Sequence, residues 1–274
     1  MDTPYLLRGV RQIPTDSSVL VSSSKYLNNA ALREWVATEL LRRNGPDMPT
    51  PSGAYRLNAI MKELQDPRAI DAMFATERQR WPALDAWFRR AHIPTYTLED
   101  LSRYPPGSVG HIYYRHLSEN NLQVEIVPRW EPKSDFEYWA LRSVQNHDLE
   151  HILGGGGFDS LGELVPGLLK LTYCYKFFSP ELANELAVKQ YFLSVRFISR
   201  MALHYPQCWD ATWAAIEAGR RVGLASDAFF LAKYEDIFDL APEAARAQLG
   251  IREVVEVDTA EASRIWDNSA PGYR

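Results

Sequence analysis

An all-α fold, a single helical domain with an N-terminal extension, is what this sequence predicts, and three observations carry the prediction. Apolar residues recur at helical spacing over most of the chain, as in Leu57, Ile60, Met61 and Leu64. With 3.6 residues per turn, that spacing lines one face of a helix. The boundaries between such segments carry helix punctuation, with a capping residue or proline in front and glycine, asparagine or proline behind. Only Leu122 to Pro128 alternates as a strand would, and one short, proline-ended stretch reads as an isolated extended segment rather than a sheet.

Residues 1–50 form the extension, expected to pack loosely, with serines at 17, 18 and 22–24 marking loop. It holds one predicted helix, from about Asn29 to Arg43, stopped by Asn44-Gly45-Pro46. Pro49, Pro51, Ser52 and Gly53 then make a joint to the helical domain, residues 51–274. The Leu57 segment follows, and beyond Pro67 comes one that carries Trp81, Leu84, Trp87 and Phe88. Pro105-Pro106-Gly107-Ser108 is a turn whose serine caps the next helix. Ser134-Asp135-Phe136-Glu137 has the serine and glutamate of a capping box. The helix it opens runs to Leu153 and stops at the glycines 154–157, any of which supplies a left-handed residue. Ser160-Leu161-Gly162-Glu163 fits a second capping box. A long helix starts at Pro180 behind a Ser179 cap and ends at Tyr205, with Leu182, Leu186, Leu193 and Phe197 as core positions. The last helical pair is separated at Gly219-Arg220-Arg221.

The chain has 274 residues, 46% hydrophobic and 24% charged, with a formal net charge of -5. These are the proportions of a globular domain, and they leave no electrostatic footprint for nucleic acid. Cys174 and Cys208 stand outside any CxxC pair, which argues against a disulfide framework and a thiolate metal site. No apolar run approaches the ~18 residues of a membrane span. The two most hydrophobic stretches, Leu164 to Phe178 and Tyr191 to Leu203, are broken by Lys170 and by Arg196 and Arg200. The opening Met1-Asp2-Thr3-Pro4-Tyr5 has the layout of neither a secretory signal nor a transit peptide. A cytoplasmic location is expected, with peripheral contact to the inner membrane open to it.

The chemistry concentrates in Asn146-His147-Asp148-Leu149-Glu150-His151, with Glu163 following His151 after eleven residues. With Phe136 at zero and ~100° per residue, Ala140, Val144, His147 and His151 share a sector of roughly 80° with it. Both histidines therefore extend the apolar stripe and look inward, Asp148 lies at its edge, and Glu150 points away. Two inward imidazoles and a carboxylate are costly to desolvate unless they are paired or bind a cation. Imidazole and carboxylate donors suit zinc, iron or manganese. The competing reading has His147 and His151 as hydrogen-bonded core histidines and Glu163 committed to its capping box. The glycine run lets the backbone fold back so that Glu163 reaches the histidines. It lacks the lysine and preceding strand of a phosphate loop. Phe158, Leu161, Val165 and Leu168 are expected to wall the site, whereas His92, His111, His116 and His204 have no ligand spacing and read as surface or core.

His-Asp-x-x-His, eleven residues, then Glu resembles the signature of the Coq-four family of ubiquinone (coenzyme Q) biosynthesis proteins. Tyr104-Pro105-Pro106-Gly107-Ser108-Val109-Gly110, the tyrosines 113 and 114, Gly154, Gly162-Glu163, Gly219-Arg220-Arg221, Tyr234-Glu235 and Leu249-Gly250-Ile251 are similar to that family's segments. The resemblance spans roughly Ala54 to Arg252. It implies an all-helical fold, with His147, Asp148, His151 and Glu163 as ligands of a divalent metal, usually zinc. It implies, too, a role with polyprenylated hydroxybenzoate intermediates at a membrane. That role is either replacement of the ring carboxylate by hydroxyl or a non-catalytic, lipid-binding scaffold for other quinone biosynthesis enzymes. A homodimer is typical of the family. The chain departs from the family in its run of four glycines, in Pro166-Gly167, in Phe238 and Asp239 where tryptophan and glutamate are usual, and in its N-terminal extension.

Overall fold

Several helices start where the sequence offers their first amides a side-chain acceptor or a proline that needs none. The computed structural model describes residues 24–44, 52–125 and 130–267. Asn29 caps α1 (Ala30–Leu41), accepting from the Leu32 amide at 2.9 Å. After α2 (Ser52–Leu64), Asp66 caps α3 (Pro67–Arg80). Proline again takes the first turn of α4 (Pro82–Arg90), where its missing N–H costs nothing. Thr97 and Asp100 form a full capping box on α5 (Leu98–Ser102), and Ser108 caps α6 (Val109–Glu119) as predicted. Ser134 caps α7 (Asp135–Gln145), but Glu137 reaches the Lys133 amide at 2.7 Å instead of closing the box. There follow α8 (His147–Gly154), α9 (Leu164–Phe177), α10 (Pro180–His204), α11 (Trp209–Ala225), α12 (Pro242–Leu249) and α13 (Ala260–Trp266). No strand occurs among the described residues, only one isolated parallel bridge between Gly156 and Val257. The predicted extended segment is irregular over residues 122–125, and its end at 126–128 lies outside the described residues. So do the serines at 17, 18, 22 and 23, the stop at Gly45-Pro46, and Pro49 and Pro51 of the joint.

Three apolar clusters hold the helices. The largest gathers Phe74, Trp87, Tyr113, Trp139, Leu149, Tyr173, Leu182 and Phe230. A second joins Leu161, Leu164 and Val165 to Phe197, Met201, Ile216 and Trp266. The third packs Trp35, Leu57 and Met61 against Val188 and Phe192. Helix α10 contributes to all three, so Leu182 and Phe197 are core as predicted, each in a different cluster. No described helix is long and apolar enough to cross a membrane.

The described part of the N-terminal extension is not loose. Trp35 is fully buried and donates its indole N–H to the Gly53 carbonyl at 2.8 Å. Glu39 enters the interior beside Arg196 and Arg200 of α10, with Arg200 Nη2 at 2.8 Å and Arg196 Nη1 at 3.5 Å from one carboxylate oxygen. Arg200 also donates to the Glu39 carbonyl and the Asn44 side chain. Burial lowers the affinity of both guanidinium groups for a proton, Arg196 to about 10, with Glu39 opposing the shift.

Two sequence expectations fail because packing overrides local punctuation. Ser179 does not cap α10 with its side chain; its amide donates to the buried Glu77 carboxylate at 2.9 Å. Nor do Gly219-Arg220-Arg221 separate two helices, since α11 runs through them unbroken. Gly219 is where α11 crosses α9, and a Cβ there would collide with the Val165 carbonyl. Gly219→Ala is therefore expected to destabilise the protein by about 1–3 kcal/mol through overpacking. The measurement is a lower urea midpoint at an unchanged slope.

Candidate metal centre

The helix predicted from Ser134 to Leu153 is two helices. Asn146 sits between them at φ -90, ψ -8, its amide still bonded to the Arg142 carbonyl, and α8 starts afresh at His147. Asparagine competes for backbone hydrogen bonds and leaves helical geometry readily, so the break falls there. Helix α8 lies in the interior, with every residue from Asp148 to Gly154 buried. Gly155, at φ 82, ends it in the left-handed conformation.

The second capping box does not form as predicted. Asp159, not Ser160, accepts from the Gly162 amide at 3.0 Å, while Ser160 donates to Asp267. Asp159 stands three residues before Gly162, and its carboxyl oxygen reaches that amide where the Ser160 hydroxyl turns instead to Asp267. Glu163 is thereby released from capping and stands at the start of α9 with its side chain turned to the histidines. Pro166 does not interrupt α9, because it occupies the first turn, where an amide N–H has no intrahelical partner.

His147 Nε2 lies 3.1 Å from Glu163 Oε2, and His151 Nε2 lies 3.5 Å from Glu163 Oε1. One donor atom from each of the three residues falls within 4.8 Å of the others. His151 is 1% exposed, and its Nδ1 lies 2.8 Å from the Gly157 carbonyl. That partner places a proton on Nδ1 and leaves Nε2 as the atom that faces Glu163 and is available to a metal. Burial alone would lower the His147 pKa, but the charge and hydrogen bond of Glu163 overcome it and raise it. Burial likewise opposes ionisation of Glu163, and the two histidines nevertheless hold its carboxyl well below the usual range. The site therefore favours a carboxylate with positive charge beside it, a demand a cation meets as well as a proton. The donor chemistry fits one. Metal bonds of ~2.0–2.2 Å place ligand atoms on one ion about 3.0–3.6 Å apart, the separations seen between Glu163 and each histidine. His147 and Glu163 remain 33% and 46% exposed, so the cluster opens to solvent on one side.

Asp148 is not within that three-residue cluster. It is buried, and its charge is felt by His147, by His116, and by the Tyr96 and Tyr113 hydroxyls, both of which burial and neighbouring negative charge push upward. Glu150 does not point away as expected. It is 1% exposed, accepts from the Tyr173 hydroxyl at 3.4 Å and lies 3.4 Å from Lys170 Nζ. In the helical projection it is no farther from the apolar stripe than Asp148, and α8 is enclosed all round.

Of the expected wall, Leu161, Val165 and Leu168 pack into the second apolar cluster, and Phe158 alone borders the histidines. Phe158 is 38% exposed, with its ring 5.1 Å from that of His151. Its ring stacks on His116 at 3.6 Å and 11°. His116, which lacks ligand spacing in sequence, is thus brought to the mouth of the site by α6. Its only sequence signal is its place one turn beyond Tyr113.

No protein-family model and no curated protein matches the chain. The structure is similar to the crystal structure of a "Putative ubiquinone biosynthesis protein" from Nostoc punctiforme, with a TM-score of 0.59 and 19% identity over 81% of this chain and 95% of that one. At that identity, the likeness establishes a common all-α fold.

Proposed function

We propose that the chain holds a divalent transition metal through His147, His151 and Glu163, with Asp148 at the rim. On this reading it acts in ubiquinone biosynthesis or related prenyl-aromatic metabolism. The observation that carries the proposal is the convergence of two imidazole nitrogens and a carboxylate from α8 and the start of α9 on one point open to solvent. The fold shared with the Nostoc punctiforme protein and the motif His147-Asp148-x-x-His151…Glu163 support the pathway.

The proposed substrate is a polyprenylated hydroxybenzoate. Its ring carboxylate leaves as carbon dioxide, the ring carbon gains a hydroxyl from water, and the two electrons and one proton set free pass to dioxygen, which leaves as hydroperoxide. Iron or manganese supplies the electron exchange when bound, whereas zinc supplies only Lewis acidity. The chain's residues do the rest. Glu163 and His147, both partly exposed, define the face on which a ring's polar groups approach. Phe158 and His116 offer flat surfaces beside it for the ring to stack on. His151 is held in one tautomer by Gly157.

The deciding experiment is elemental analysis of protein purified from its natural host, with bound lipid identified by mass spectrometry. It is paired with assays of a prenylated hydroxybenzoate with and without air. A site holding iron or manganese, with product formed only in air, is the expected result. Turnover by a pure zinc form without oxygen would refute the oxidative reading. Bound metal and lipid without turnover under any condition would favour the scaffold role.

A further inference from the structure

The structure assigns Asp159 to the metal centre as a positioning residue, with Thr259 and Ser263 as its anchors in the C-terminal segment. This inference rests on the metal reading above and concerns what holds the ligands in place.

The loop from Gly155 to Glu163 carries two parts of the site. At one end is the Gly157 carbonyl that orients His151, and at the other is Glu163 itself. This loop has no regular structure of its own, so something must fix the distance between those two points. Asp159 lies midway, and its carboxylate gathers three donors. The Gly162 amide reaches it at 3.0 Å, the Thr259 hydroxyl at 2.7 and 2.9 Å, and the Ser263 hydroxyl in a short hydrogen bond. The Ser263 hydroxyl in turn accepts from the Leu161 amide at 2.9 Å. On either side, the Val257 amide donates to the Gly155 carbonyl at 3.1 Å and Ser160 donates to Asp267. The loop is thus fastened along its length to residues 257–267.

Two facts separate this from ordinary structural stitching. First, α13 has its own anchorage, since Trp266 is fully buried and stacks on Phe197 at 4.9 Å and 17°. The polar bonds of Asp159 therefore add little to holding α13 and act mainly on the loop. Second, the loop closes so tightly on itself that a Cβ at Gly162 would collide with the Gly157 carbonyl. The amide that Asp159 grips thus belongs to a residue that touches the His151 partner on one side and precedes Glu163 on the other. A carboxylate at this point sets both at once. The anchors Thr259 and Ser263 lie beyond Arg252, where the family resemblance stops, so this fastening belongs to the chain's own C-terminal segment.

The test is cobalt(II) titration of the full chain, read by its visible absorption and by competition with a chelator. Asp159→Ala is expected to weaken cobalt binding by about 10-fold, the low end for partners of metal ligands because it acts through the Gly157–Gly162 loop, and to alter the absorption envelope. Asp159→Asn retains an acceptor for the Gly162 amide and should fall between. Thr259→Val, which leaves Asp159 in place, should weaken binding a few-fold and serves if the alanine variant does not fold. Val188→Ala, in the cluster around Trp35, is the control and should lower thermal stability with wild-type affinity and spectrum. Wild-type affinity and absorption in the Asp159 and Thr259 variants would overturn the inference alone, as would losses no larger than the control's. No cobalt or zinc binding by the unmodified chain would overturn the metal reading and this inference with it.

Discussion

Loss of metal affinity by two to three orders of magnitude is the expected result of replacing His147 with alanine. Four-ligand zinc sites are worth roughly 10–16 kcal/mol, so one ligand contributes about 2.5–4 kcal/mol. His147 is the ligand to remove first because its side chain is one-third exposed and pairs with Glu163. Truncation therefore leaves no buried backbone group unsatisfied, and the metal-free variant should melt close to the metal-free parent. The difference appears only with metal present. At a hundred times its dissociation constant, a ligand adds about 2.7 kcal/mol to the parent and almost nothing to the variant. His151→Ala should look different, since it opens a hole at a fully buried position and deprives the Gly157 carbonyl of its donor. A His147→Ala protein that binds metal as tightly as the parent would remove His147 from the site.

The second large effect lies far from that site. Glu39→Ala is expected to destabilise the fold by about 3–5 kcal/mol, because it strands Arg200 and Arg196 in the interior with their main anionic partner gone. Both guanidinium groups are already pushed down by burial, with Glu39 the leading counterweight. Urea denaturation would show the loss, and amide exchange should locate it in α1 and the middle of α10. Replacing Glu39, Arg196 and Arg200 together by methionine should cost less than the single change, since the three charges that face one another are removed together. A Glu39→Ala protein within 1 kcal/mol of the parent would mean that water reaches the cluster and screens it.

Much of this architecture is written locally. Asn29, Asp66-Pro67, Ser108, Ser134 and Pro180 announce helix starts through the chemistry of unpaired amides, and the structure starts helices at each. The pairing of His147 with His151 is equally local, since four residues make about one turn. What escapes the sequence is decided by distant neighbours. The Glu163 side chain faces the histidines while Asp159, not Ser160, takes the Gly162 amide, and Asp159 is held by residues a hundred positions later. Gly219 reads as a stop until α9 is seen crossing it. His116 acquires a place at the site only through Phe158. Glu150 looks solvent-facing until Tyr173 and Lys170 close over it.

The long helix α10 has a consequence for how the chain tolerates shortening. A protein beginning at residue 52 would keep all three proposed ligands yet lose α1, uncovering Val188 and Phe192 and leaving Arg200 without its acid. Such a fragment would present a sticky apolar stripe beside a misplaced positive charge, a surface prone to self-association. Residues 24–44, read from sequence as part of an appendage, thus cover an apolar face of α10 through α1, and removing them is expected to promote clumping.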